Sequence, residues 1–424
     1  MEIKKDKHNN YTIHTIKTNR YKTTQIELNL RKNITEKTFA PFTFLTGILD
    51  ESSKKYSTRR KVAIKSEEIY KADFLSRANR FGKSLSLTFN IEFINPEFID
   101  DSNYLNNVID FFFEMILNPN VKDGLFDKTS FDIVQNEMIT ALESIKEDPY
   151  QKALEGAINT LDSKSVSAMG LFGTKEDILS ITRENLYEVY LNLLKESVID
   201  FFVIGNTNMD NITKLIKDKF KITNNVNKKI DAYVDNKTRK KVIVKEDTSN
   251  FEQTQLIVLY NLDKLTKDER NIDMLLFNFI FGSGGLTSKL YKYVREEKGY
   301  CYHIGSTCYR FDNLLCIDSS LSTDDIDDVI SLIDKAFNEM AKGNFSQNDI
   351  NDAKKSIISG IKIGRNRHPM ILHNYQEQVF WGNDTFDDII NKIQKVTKED
   401  IMNVTKKIKK NTVYILRKAT HEKD

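Results

Sequence analysis

Residues 281–306 read FGSGGLTSKLYKYVREEKGYCYHIGS. A glycine cluster, Gly282, Gly284 and Gly285, opens a stretch with helical spacing. The spacing predicts a helix to about Lys298, closed by Gly299 at the position that favours a left-handed backbone. A strand then begins near Cys301. Arg295 falls in the last helical turn and Tyr302 near the strand's start. The break at Gly299 folds the strand back, so the two side chains can point at one place. A planar fork donor and a phenol donor converging there can grip a peptide carbonyl and the oxyanion it becomes. The bland alternatives are a solvated last-turn cation and a core or interface aromatic. Phosphate binding at the glycine cluster fits poorly, because GSGGLTSK lacks the GxxxxGK[ST] spacing and follows no strand directly.

Around this stretch the second half reads strand (KVIVKED), strand (QTQLIVLYNL), helix (DERNIDMLLFNFIFG) and the motif helix. A hairpin follows, CYHIGSTCYRF with NLLCIDSSLS, then helices DIDDVISLIDKAFNEM and QNDINDAKKSIISGIKIG, and finally helix TKEDIMNVTKKIKK and strand NTVYILRK. The first half has the same flavour. YTIHTIKT and TTQIELNL are strand-like, and KTFAPFTFLTGILDE and RKVAIKSEEIYKADFLSRAN read as helices. KSLSLTFNIEFI alternates as a one-face-buried strand, and NYLNNVIDFFFEMIL is a helix ending at Asn118-Pro119. SFDIVQNEMITALESIKED is a long helix, Pro149 marks a kink or restart, and VIDFFVIGN is a strand covered on both sides. SLTFNIEFINPEFIDDSNYLNNVIDFFFEMIL and LLCIDSSLSTDDIDDVISLIDKAFNEM share one order: strand, acidic loop, helix. Two αβ halves related by duplication are expected, residues 1–222 and 241–424, joined by a polar linker at 223–240. The fold class is α+β, each half a mainly antiparallel sheet with helices packed on one face.

Composition narrows the function. With 63 Lys and Arg against 61 Asp and Glu, nothing drives the chain toward nucleic acid or anionic lipid. No apolar run reaches the roughly 18 residues of a membrane span, and the polar start MEIKKDKHNN has no apolar leader core. Cys301, Cys308 and Cys316 form no CxxC pair, and free thiols suit a reducing compartment, so the cytoplasm is the expected location. A two-residue turn at Asp312-Asn313 would set Cys316 opposite Tyr309, so no disulfide with Cys308 is expected.

The motif resembles the C-terminal signature of the pitrilysin/insulinase family of zinc peptidases, the inverzincins: a glycine-rich turn, a helix ending Arg-Glu-x-x-Gly, and a Tyr seven residues after the Arg. Arg295, Glu296, Gly299 and Tyr302 match it, and the duplicated halves extend the resemblance over essentially the whole chain. It implies a clam-like chamber between the halves and an N-terminal zinc motif His-x-x-Glu-His. Here the corresponding residues resemble TFLTG, 43–47. Thr43 and Gly47 stand for the two histidines and Thr46 for the base. Glu137 matches an auxiliary acid of the family's long helix, and the third-ligand position falls on Ser144, beside Glu143. No histidine lies between His14 and His303, and His8, His303, His368, His373 and His421 are scattered, so none is expected to bind metal.

The resemblance therefore implies a zinc-less subunit. No cofactor is expected in this chain; zinc would sit in a homologous partner of a heterodimer, and Arg295 and Tyr302 would bind peptide and stabilise the oxyanion there. The alternative is a non-catalytic peptide-binding or scaffold protein of the same fold. Neither nucleic acid nor membrane is an expected partner.

Overall fold

A computed structural model describes residues 2–8, 10–222, 226, 229–237, 239–322 and 324–419. Contacts divide the chain into two compact units, Met1–Ser144 with Met169–Ala232, and Ile145–Ala168 with Tyr233–Asp424. This differs from a boundary at 222, because residues 145–168 pack with the second unit rather than the first.

In chain order the first part contains β1 (Glu2–His8), β2 (Tyr11–Lys17), β3 (Thr23–Asn33), α1 (Ala40–Glu51), α2 (Arg59–Glu68), β4 (Asp73–Phe81) and β5 (Ser84–Ile94). There follow α3 (Tyr104–Leu117), a small hairpin of β6 (Val121–Lys122) and β7 (Leu125–Phe126), α4 (Lys128–Glu147) and α5 (Pro149–Asp162). This part closes with α6 (Lys175–Ser180), α7 (Arg183–Glu196), β8 (Val198–Gly205) and α8 (Met209–Lys219). The first unit's sheet runs β1-β2-β8-β3-β5-β4, antiparallel except for β2 beside β8. Alternate residues of β3 and β5, such as Leu28, Leu30, Leu87 and Phe89, face a core shared with Phe44, Phe112 and Leu186 of the helices. The sheet's other face is also buried, and beside the apolar Ile16, Phe202 and Ile204 it carries a polar network. Arg31 donates to Asp200 at 2.7 Å, His14 meets the same carboxylate at 3.2 Å, and Thr88 donates to Asn29.

One expected helix is a strand. Residues 60–79 were expected to be helical throughout, but α2 stops at Glu68, and Tyr70 and Lys71 take φ of 56° and 58°. The left-handed pair ends the helix, and β4 then forms a hairpin with β5 across Gly82-Lys83, Gly82 itself at φ 54°. Pro149 does restart a helix: it opens α5, capped by Asp148 accepting from the Gln151 N–H.

The second unit adds β9 (Ile243–Ser249), β10 (Thr254–Asn261) and a helical run whose middle is α9 (Met274–Asn278), with π-helical turns on both sides. β11 (Cys301–Tyr309), β12 (Leu314–Leu321), α10 (Ile326–Lys342), α11 (Gln347–Gly364), α12 (His368–Trp381), α13 (Phe386–Lys395), α14 (Lys398–Lys407) and β13 (Lys409–Lys418) complete it. Its sheet runs β9-β13-β10-β12-β11. Position for position this is the first sheet's β2-β8-β3-β5-β4, with the one parallel pair in the same place. Both halves also run strand, helix, long helix, Pro-initiated helix, two further helices, strand, with the β6–β7 hairpin an addition of the first half. The duplication is thus a matter of topology, not only of sequence flavour. Leu256, Val258 and Tyr260 face the helical core, while Ile257 and Leu259 face α5. Ala153, Ala157 and Gly156 let that helix approach closely; a Cβ on Gly156 would fall 2.2 Å from the Tyr414 ring.

The described part of the expected linker carries no helix or strand, yet it is packed. Ala232 and Val234 are buried, and Asn236 donates to the Asp312 carbonyl at 2.8 Å. Val234 also ties down the β11–β12 loop: its N–H donates to the Phe311 carbonyl and its carbonyl accepts from Asn313. That loop has four residues, 310–313, with Asn313 at φ 51°. Tyr309 therefore pairs with Leu314 and Cys316 with Thr307, which corrects the expected register; the three cysteines are free thiols.

Candidate functional site

The motif residues lie in the second unit. Tyr291–Glu296 form a π-helical turn, shown by the Glu297 N–H donating to the Lys292 carbonyl at 2.9 Å. Gly299 takes φ 68° and its N–H closes on the Arg295 carbonyl at 3.0 Å, so the helix stops where the sequence places the stop. Gly282 serves close packing instead: a Cβ there would stand 2.3 Å from the Ser306 hydroxyl of β11.

β11 is an edge strand, and its pairing with β12 slips between Cys301 and His303. Tyr302 is the extra residue of this bulge. The slip lets Cys301 and Ile304 both enter the helical core, and it leaves Tyr302 and His303 both outside. Tyr302 is 76 % exposed. His303 binds Asp318 at 2.7 Å.

Arg295 and Tyr302 meet. The guanidinium carbon sits 4.8 Å from the Tyr302 ring centroid, and also 4.9 Å from that of Tyr291. Among the described residues the Arg295 guanidinium makes no ion pair and no hydrogen bond. Its in-plane N–H donors and the Tyr302 hydroxyl are therefore both uncommitted on an accessible surface. Burial pushes the neighbouring Cys301 thiol up, with Arg295 pulling the other way. Tyr291 was not singled out from sequence; its spacing four residues before Arg295 was the available signal.

The degenerate zinc motif lies in the first unit, on α1. Thr43 donates its hydroxyl to the Leu171 carbonyl, and Thr46 donates to the Thr43 carbonyl at 2.8 Å. Gly47 faces Val134 of α4: a Cβ at 47 would stand 2.7 Å from a Val134 methyl. A side chain from α4 thus occupies the space that a ligand at 47 would enter. Ser144 is exposed at the far end of the same helix, ten residues on, about 15 Å at 1.5 Å per residue. The α4 residue that packs against Gly47 is Val134. Glu137 and the buried Glu51 both pair with Arg59. The zinc that an intact motif of the family would bind does not fit these residues. Among the described residues no group of three or more His, Cys, Asp or Glu could hold a metal ion. His14 is buried against Asp200, His368 is buried at the start of α12, His373 lies 3.6 Å from Glu377, and His421 lies outside the described residues.

Comparison with known proteins agrees with this picture. Residues 180–357, which include the motif, match the family model described as "Peptidase M16 inactive domain". The chain is 23 % identical over 416 residues to "Probable inactive metalloprotease YmfF" of Bacillus subtilis (strain 168), covering 97 % of each. Its fold is shared with a conserved protein from Enterococcus faecalis V583, at TM-score 0.92, 22 % identity and full coverage of both chains. A peptidase M16 inactive domain from Pseudomonas fluorescens superposes at TM-score 0.78 with 15 % identity, again over both full chains.

Proposed function

For this homologue of inactive M16-family metalloproteases, we propose the role of zinc-less subunit in a heterodimeric metallopeptidase that processes peptides. The observation that carries the proposal is the Arg295–Tyr302 pair: two donors brought together by a helix stop and a bulge, with no hydrogen-bond partner among the described residues. In this reading the peptide lies extended against a zinc-bearing homologue, as an added strand on a sheet edge. Tyr302 donates its hydroxyl to the scissile carbonyl oxygen as negative charge develops there, and Arg295 orients the same carbonyl or its neighbour. The packing of Val134 against Gly47 supports assigning the metal to the partner. The free thiols suit a reducing cytoplasm, and no helix is long and apolar enough to cross a membrane among the described residues.

The test begins with a pull-down from the native cell, followed by a peptidase assay with and without the captured homologue. Loss of one oxyanion donor costs about 10²–10³ in rate. Tyr302→Phe is expected to slow the pair by about that factor while the heterodimer still forms by gel filtration. An unchanged rate removes Tyr302 from the mechanism. Failure of any zinc-bearing homologue to co-purify favours the peptide-binding scaffold instead.

A further inference from the structure

We infer that Tyr291 is the positioning residue for Arg295. This inference rests on the function proposed above for its activity readout, but not for its geometric one.

An arginine is usually fixed by fork hydrogen bonds to a carboxylate, which occupy the donors that would otherwise bind a ligand. Arg295 is held differently. Its guanidinium lies against two aromatic rings, Tyr291 at 4.9 Å and Tyr302 at 4.8 Å, although Glu296 and Glu297 are its next neighbours in sequence. A ring face attracts the cation through its quadrupole and leaves the in-plane N–H groups open.

The two rings are not equivalent. Tyr302 sits on the bulge at 76 % exposure, and it is the group that would bind substrate. Tyr291 is half-buried, in a turn anchored by the buried Leu290, Tyr293 and Val294. Tyr293 is itself fixed by donating to Glu339 at 2.6 Å. Tyr291 is therefore the stationary support, and Tyr302 the movable one. Engagement of Tyr302 by a peptide carbonyl would leave the Tyr291 ring as the contact that keeps the guanidinium aimed. A fork held this way keeps its in-plane donors free for an oxygen acceptor, which in the proposed function is a peptide carbonyl.

The experiment compares Tyr291→Phe with Tyr291→Leu. In the isolated full chain carrying ¹⁵N-arginine, the Arg295 Nε–Hε resonance, assigned by its disappearance in Arg295→Lys, reports ring contact directly. Its ring-current shift is expected to persist in Tyr291→Phe and to move toward the random-coil position in Tyr291→Leu. In the complex with the zinc-bearing homologue, Tyr291→Leu is expected to lower kcat/KM about 5- to 30-fold, the range of a partly desolvated cation–π contact. Tyr291→Phe should restore most of it, and Tyr291→Leu should add nothing in an Arg295→Ala background. An unchanged resonance in Tyr291→Leu overturns the inference. So does an unchanged kcat/KM in Tyr291→Leu when Arg295→Ala lowers it. If Arg295→Ala and Tyr302→Phe both leave turnover intact, the proposed function fails instead, and the resonance alone decides whether Tyr291 positions Arg295.

Discussion

Replacing Gly47 by alanine tests whether Val134 of α4 closes the space beside Gly47. In an open helix interior the change from Gly to Ala stabilises by roughly 1 kcal/mol. Here the new methyl would stand 2.7 Å from Val134 Cγ1 in a site where Val134 is 2 % exposed. Valine in a helix has one strongly preferred side-chain rotamer, so it cannot swing aside cheaply. Overpacking of this kind costs about 1–3 kcal/mol, which leaves Gly47→Ala between neutral and about 2 kcal/mol destabilising. In a Val134→Ala background the obstructing methyl is absent, and the same substitution should stabilise by about 1 kcal/mol. The effect should therefore move from neutral or destabilising to stabilising between backgrounds, with a coupling of about 1–3 kcal/mol. Urea unfolding of the four proteins, followed by circular dichroism, measures the cycle. Additivity within about 0.5 kcal/mol would refute the reasoning. The functional corollary is direct. An imidazole at 47 is larger than a methyl, so Thr43→His, Thr46→Glu and Gly47→His together should not restore zinc binding while Val134 remains.

Two further predictions concern charge. Asp50, beside the degenerate motif, accepts from the Ser76 N–H at 3.0 Å, and burial pushes its carboxyl up to about 7. A raised carboxylate costs nothing below its unfolded pKa, accumulates cost as pH rises toward 7, and is constant above that. Asp50→Asn keeps an acceptor for Ser76, so its stability advantage over the natural chain should grow between about pH 4 and 7, to at most about 4 kcal/mol; a pH-independent difference in urea midpoints would contradict this. Asp200, held below the usual carboxylate range by His14 and Arg31 against its burial, should show the opposite behaviour. Asp200→Ala removes a counter-charge from buried Arg31 and should cost about 3–5 kcal/mol near neutral pH, less below pH 4; an unshifted thermal midpoint would show that the network carries no stability.

The elements read well from sequence are those set by local rules. Apolar alternation gives β3 and β5, and a continuous apolar run gives β10. Pro149 gives the start of α5. Gly299 gives the end of the motif helix. The elements misread were those whose local signal was weak or misleading. Residues 73–79 follow a charged helix without a break in composition, and only the left-handed backbone at Tyr70 and Lys71 separates helix from strand. β1, at Glu2–His8, is largely exposed and so has no apolar pattern to betray it. α12 and α13 were not recognised from sequence at all. Residues 145–168 follow the first half in sequence but pack on the second sheet, a choice made by side chains more than 90 positions away, such as Ile257 and Cys316.

By itself the sequence determined that this chain is a duplication and that its zinc motif lacks imidazoles, because residue identity and periodicity are local properties that no packing can restore. The tertiary structure decided which side of the sheet Tyr302 faces and what fills the space beside Gly47. In a regular strand Tyr302 and Ile304 would share a face. A one-residue slip against β12 separates them, turning the phenol out to meet Arg295 while Ile304 stays in the core.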